Sequence, residues 1–101
     1  MIDMQQKEAL EAIKRIVIKH LRDTGARVYL FGSWVRGEQQ HSSDIDVGVW
    51  YEYPLPSGTL SYLREALEES TIPYTVDLVD LTRTNSDFRE SVFKEGKLWN
   101  A

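Results

Sequence analysis

The chain has 101 residues, enough for one domain with a modest core and too few for two ordinary domains. At 42% hydrophobic and 28% charged residues it has a globular balance, and its net charge of −4 disfavours nucleic acid as a direct partner. The lack of cysteine excludes disulfides, thiolate metal sites and cysteine nucleophiles, and His20 and His41 are too few for a histidine-rich metal centre.

No apolar run approaches the ~20 residues that span a bilayer. Residues 1–11 are too polar for a signal peptide, so a cytoplasmic protein with no membrane association is expected.

Asp3, with Gln6 three residues on, predicts the cap of a helix running from Met4 to about Asp23. Leu10, Ile13, Ile16, Val17 and Leu21 recur there at helical spacing, and Gly25 is the expected stop. Lys14, Arg15, Lys19 and Arg22 crowd its end, where cations suit the helix dipole. Arg27 to Phe31 reads as a short strand, cut off by Gly32-Ser33 and a short helical turn. Asp44 to Tyr51 is a second strand, with Ile45, Val47 and Val49 on one face and Asp44, Asp46 and Gly48 on the other. Pro54, Pro56 and Gly58 mark a loop, after which a helix to about Ser70 buries Leu60, Leu63, Ala66 and Leu67. Tyr74 to Leu81 is a third strand, and Asn85 or Ser86 caps a last short helix carrying Phe88, Val92 and Phe93, closed by Gly96. This alternation predicts one α/β domain over residues 1–101, built on a short mixed sheet of three to four strands. The helices pack mainly on one face and a carboxylate site occupies the other.

The chemistry concentrates at Gly32-Ser33-Trp34-Val35-Arg36-Gly37 and Ser43-Asp44-Ile45-Asp46. Asp44 and Asp46 leave one strand face roughly 7 Å apart. Aspartate is depleted in strands and like charges repel, so a divalent cation with a taste for hard oxygen ligands, Mg²⁺ or Mn²⁺, is the simplest offset. Of the two acids on the third strand, Asp77 shares the carboxylate parity, whereas Asp80 has the apolar parity and reads as a solvated strand-end acid. Three carboxylates at one sheet edge can hold two metals for an in-line displacement at phosphorus. That chemistry needs a phosphate cradle, which the Gly32-Ser33 turn can supply through backbone N–H groups and a hydroxyl, unless Ser33 is an ordinary helix cap.

Gly32-Ser33, ten residues, then Asp44-x-Asp46 resembles the signature of the nucleotidyltransferase superfamily that includes DNA polymerase beta. The longer string GSWVRG…SDIDVGV, with the VDLVDL strand and the FRESVFKEGKLW tail, is similar to the minimal nucleotidyltransferases (MNT). The resemblance implies a small nucleotidyltransferase domain in which Gly32 and Ser33 contact the triphosphate and Asp44 and Asp46 ligate both metals. Asp77 then binds the catalytic metal and helps deprotonate the acceptor hydroxyl. Arg36 and Gly37 match the usual arginine and glycine, and Arg36 either contacts phosphate or holds the loop through a carboxylate. Val35 stands where many relatives have alanine and crowds the turn. The resemblance further implies ATP as substrate, two Mg²⁺ or Mn²⁺ ions, and pairing with an all-helical, RNase-like HEPN toxin. The chain is then the antitoxin, transferring AMP to a tyrosine of that toxin, in a homo- or hetero-oligomer. The alternatives are a non-catalytic module that neutralises its partner by occlusion, and nucleotidyl transfer to a small molecule.

Other residues carry weaker expectations. Trp34 is expected to pack against a helix rather than stack on a base, and His41 to be a solvated loop residue. Trp50 shares the aspartate face, at the acceptor side or a subunit interface. Tyr51, Tyr53, Tyr62 and Tyr74 are expected to pack.

Overall fold

The computed structural model describes residues 4–39 and 44–100; the expected Asp3 cap, His41 and Ser43 lie outside the described residues. In chain order the elements are α1 (Met4–Leu21), β1 (Arg27–Phe31), α2 (Ser33–Arg36), β2 (Ile45–Trp50), α3 (Thr59–Glu69) and β3 (Val76–Asp80). A 3₁₀ turn (Leu81–Arg83), α4 (Ser86–Glu95) and β4 (Lys97–Leu98) follow.

The four-residue spacing of Ala9, Ile13, Val17 and Leu21 gives α1 one buried stripe. The helix stops at Leu21, earlier than Gly25 led us to expect. Asp23 turns left-handed at φ 64°, and the Thr24 N–H and hydroxyl both donate to the Leu21 carbonyl, at 3.2 and 2.6 Å. That closes the helix before the glycine is reached.

The sheet order is β3-β2-β1-β4. β1 pairs antiparallel with β2 and with β4, whereas β2 and β3 are parallel, which requires the crossover that α3 provides. β4 was not legible as a strand, because two residues carry no period. Its pairing is reinforced from beyond its end. The Trp99 N–H donates to the Val28 carbonyl at 2.8 Å, and the Asn100 side chain accepts from the Val28 N–H and donates to the Ala26 carbonyl.

The main core lies between the sheet and α1 and α3. Val28, Leu30, Ile45, Val47, Val49 and Leu78 meet Ile13, Val17, Leu63 and Leu67 there. Each such buried aliphatic side chain contributes about 1.5–3 kcal/mol, so this face anchors the fold. The opposite face is not bare. Tyr29, Leu81 and Val92 form a smaller cluster joined by Phe31, Trp50, Val79 and Phe93, with α4 as its cover. Gly48 makes this possible, since a Cβ there would stand 2.8 Å from Leu81 Cδ1.

Several aromatic expectations are thereby settled. Trp34 is 2% exposed and packs edge-on to Tyr74 at 5.1 Å, so it has no free face for a base. Trp50 packs under α4, with the Arg89 guanidinium 4.9 Å over its ring and Phe93 edge-on at 5.6 Å. Tyr53 and Tyr62 are exposed instead of packed. Among the described residues no helix is long and apolar enough to cross a membrane.

Candidate active site

At the end of the sheet where β1 runs out and β2 and β3 begin, three side chains lie in a row. The register pairs Phe31 with Asp46 across β1 and β2, and Asp46 with Asp77 across β2 and β3. Cross-strand partners share a face, so Asp46 stands between Phe31 and Asp77 on the side away from α1 and α3. Asp44, just before β2, is exposed, as is Asp77, while Asp46 is half-buried.

Over this row sits the glycine turn. Gly32 has φ 80° and ψ −153°, a conformation open to glycine alone, and a Cβ on it would run into Asp46 Oδ2, with Cγ at 3.1 Å. The turn therefore touches the central carboxylate directly. Gly32, not Ser33, occupies the cap position of α2, and its carbonyl accepts from the Val35 and Arg36 N–H groups. Ser33 is the first helical residue, and its hydroxyl makes no hydrogen bond among the described residues. The first N–H groups of α2 have no acceptor in their own turn. Hydroxyl and N–H groups are thus left to meet an external anion.

The electrostatics agree with crowding at Asp46. Burial raises its carboxyl above the usual carboxylate range, and the charges of Asp77 and Asp44 raise it further, while Arg36 pulls it back. Arg36 is also committed to the loop, pairing with Glu38 at 2.9 Å in an exposed ion pair of small stabilising effect. Of the two roles considered for Arg36, the structure shows the hold on the loop through a carboxylate, that of Glu38.

The three carboxylates are not drawn into a cage. Among the described residues, no group of three His, Cys, Asp or Glu side chains is gathered closely enough to hold a metal ion. The chemistry of the three carboxylates still fits a divalent cation. All are hard oxygen donors, Asp46 and Asp77 are direct neighbours, and their mutual repulsion is the charge excess that a cation relieves.

Asp80 is elsewhere, and it is not the solvated acid expected from its position. It pairs with Val49 on the apolar face, and its side chain is only 11% exposed. The Thr82 N–H and hydroxyl donate to its Oδ1 at 3.0 and 2.6 Å, and Tyr51 donates to its Oδ2 at 2.8 Å. Burial opposes its ionisation. The hydrogen bonds from the Thr82 hydroxyl, Tyr51 and the Thr82 backbone, together with Arg83, outweigh that and hold the carboxyl below its usual range. Sequence reading missed this role because Tyr51 and Asp80 are 29 residues apart; the Asp-x-Thr spacing is the one local signal.

An αβ fold with a Gly-Ser turn seated on paired strand aspartates is the architecture of a nucleotidyl-transferring protein. Residues 11–99 match the polymerase beta nucleotidyltransferase family, and the chain belongs to that family. It is similar to the "Probable protein adenylyltransferase MntA" of Haemophilus influenzae, with 37% identity over 89 residues, covering 88% of this chain and 76% of the relative. A solved toxin–antitoxin structure with AMP-PNP superposes with a TM-score of 0.65 at 34% identity, covering 85% of this chain and 71% of the other. A structure of a tri-AMPylated Shewanella oneidensis HEPN toxin in complex with its MNT antitoxin gives a TM-score of 0.61 at 28% identity, covering 95% and 71%.

Proposed function

We propose that this chain is a metal-dependent protein adenylyltransferase that moves AMP from ATP onto a tyrosine hydroxyl of a helical HEPN-type toxin, and so acts as its antitoxin. The observation that carries this reading is the register that sets Asp46 beside Asp77, with Gly32 against the Asp46 carboxylate. The adenylyltransferase relatives and the AMPylated toxin complex support the choice of donor and acceptor. In this reading residues 1–101 form one nucleotidyltransferase domain, and dependence on ATP sets the reaction in the cytoplasm.

Each residue then has a task. Ser33 and the free N–H groups that open α2 hold the β- and γ-phosphates, and Arg36 adds positive potential nearby. Asp44, Asp46 and Asp77 hold two Mg²⁺ or Mn²⁺ ions, which when bound supply Lewis-acid stabilisation of charge on the α-phosphate. Asp77, exposed at the outer strand, faces the incoming tyrosine and accepts its proton. The phenolic oxygen forms the new bond to the α-phosphorus as the bond to the β-phosphate oxygen breaks, and pyrophosphate leaves. The site is open on the Asp77 side, so the partner must orient its own hydroxyl, a contribution worth several kcal/mol of barrier.

Incubating the chain and its cognate helical toxin with α-labelled ATP and Mg²⁺ tests the reading. The expected result is label on a toxin tyrosine, mapped by mass spectrometry. A toxin that is neutralised on complex formation yet never labelled would replace transfer with occlusion.

A further inference from the structure

On the sheet edge opposite β3, a cleft of about 410 Å³ lies between α1, the α2 turn and β4. Lys7 and Lys14 reach it from α1, two helical turns apart and roughly 10 Å from each other along the axis. Lys97 of β4 is the third cation at the cleft. Among the described residues no ion pair joins any of the three to an acid, and Glu11 is the one acid of the lining. On a chain with a net charge of −4, this is a local excess of positive charge.

Between the lysines the cleft is apolar. Leu10 and Val35 are partly buried there, and the buried Trp34 and Trp99 complete the lining. Trp34 also brings a polar atom. Its indole N–H is buried and has no hydrogen-bond partner among the described residues. An indole N–H can only donate, so what it lacks is an acceptor. Tyr74 stands edge-on to the ring at 5.1 Å and supplies none, whereas the cleft gives an acceptor a way to this side chain.

A carboxylate on a small apolar body answers each of these features. Its oxygens accept from the indole N–H and from lysine ammonium groups, and its body covers the apolar lining. The volume is that of a small-molecule site. We propose that this cleft binds a small apolar carboxylic acid as its anion. Such binding needs neither ATP nor metal, so it stands apart from the proposed nucleotidyl transfer. Its occupant would nonetheless touch the turn of the active site. Trp34 and Val35 belong to α2, which opens at the Gly32 seated on Asp46.

Proton–nitrogen correlation spectra of the labelled full chain test this in the absence of nucleotide. Its three tryptophans give three indole N–H signals. Added phenylacetate is expected to move the Trp34 signal downfield, to shift that of Trp99, and to leave that of Trp50, which lies under α4. Phenethylamine, the same body with the opposite charge, is expected to move none of them. Trp34→Phe keeps the ring and loses the donor, so phenylacetate should bind about ten-fold more weakly, read from the Trp99 signal. Lys97→Glu, at an exposed position, should weaken it at least as much. Unmoved indole signals in the free Lys97→Glu variant show that it has folded. A Trp34 signal that phenylacetate leaves in place, equal shifts with phenethylamine, or undiminished affinity in either variant would overturn the carboxylate site. Shifts that follow protein concentration instead of added phenylacetate would give the cleft to a second copy of the chain and overturn it as well.

Discussion

Asp77 and Asp80 lie three residues apart on one short strand and live in opposite worlds. Asp80 faces the main core and receives hydrogen bonds from Tyr51 and from both donors of Thr82. Asp77 faces the other way, exposed, beside a half-buried Asp46 whose carboxyl it helps to push up. One end of the strand is a satisfied polar knot that closes β3 onto the 3₁₀ turn. The other is a cluster of like charges under the Gly32 turn. A fold keeps such unsatisfied charge where something else is meant to complete it.

The sharpest way to break this contrast is to remove charge at the crowded end. Asp46→Asn is expected to lower AMP transfer by about 10³-fold or more, measured with α-labelled ATP, in the range lost with a directly participating group. Gly32→Ala should come next. It sets a Cβ on the Asp46 carboxylate at a positive φ, so the turn must move, and transfer should fall about 10²-fold through misplacement alone. Near-normal transfer by Gly32→Ala would mean that contact between turn and carboxylate is incidental.

At the satisfied end the effects are on stability. Asp80→Ala strands the Thr82 N–H and the Tyr51 hydroxyl and should cost about 2 kcal/mol. For a chain of this size that lowers the Tm by roughly 10 °C. The pH dependence carries opposite signs at the two ends. Asp80 titrates below its unfolded value, so its stabilising effect is present above about pH 4 and is lost as pH falls through the lowered value. Asp46 titrates above its unfolded value, so with a chelator present its ionisation weakens the fold as pH rises through the raised value. Asp46→Asn should therefore raise the chelated Tm near neutral pH by a degree or two and remove that part of the pH dependence. A lower Tm in this variant would make Asp46 a structural residue.

Much of this contrast was legible in the chain before its coordinates. Period-two alternation sorted Asp46 and Asp77 from Ile45, Val47 and Leu78, and the observed register pairs the two aspartates directly. Parity also set Asp80 on the apolar face, yet it could not show how a buried acid is satisfied there, since Tyr51 comes from another strand. The second cover of the sheet was illegible for a similar reason. α4 reads as one short amphipathic helix, and only the third dimension brings Phe93 and Val92 over Tyr29 and Trp50. β4 depends on Asn100 bonding to residues some 72 and 74 positions earlier, beyond the reach of any local pattern.

If β3 carries a reactive acid on one face and a structural acid on the other, one paired measurement separates them. Thermal melts in chelator and AMP transfer to the cognate toxin in Mg²⁺ should be run together on Asp77→Asn and Asp80→Ala. Asp77→Asn is expected to keep or raise its Tm and lose transfer, while Asp80→Ala loses Tm and, below its melting range, transfers within a few-fold of wild type. Transfer that survives in Asp77→Asn and disappears in folded Asp80→Ala would contradict it.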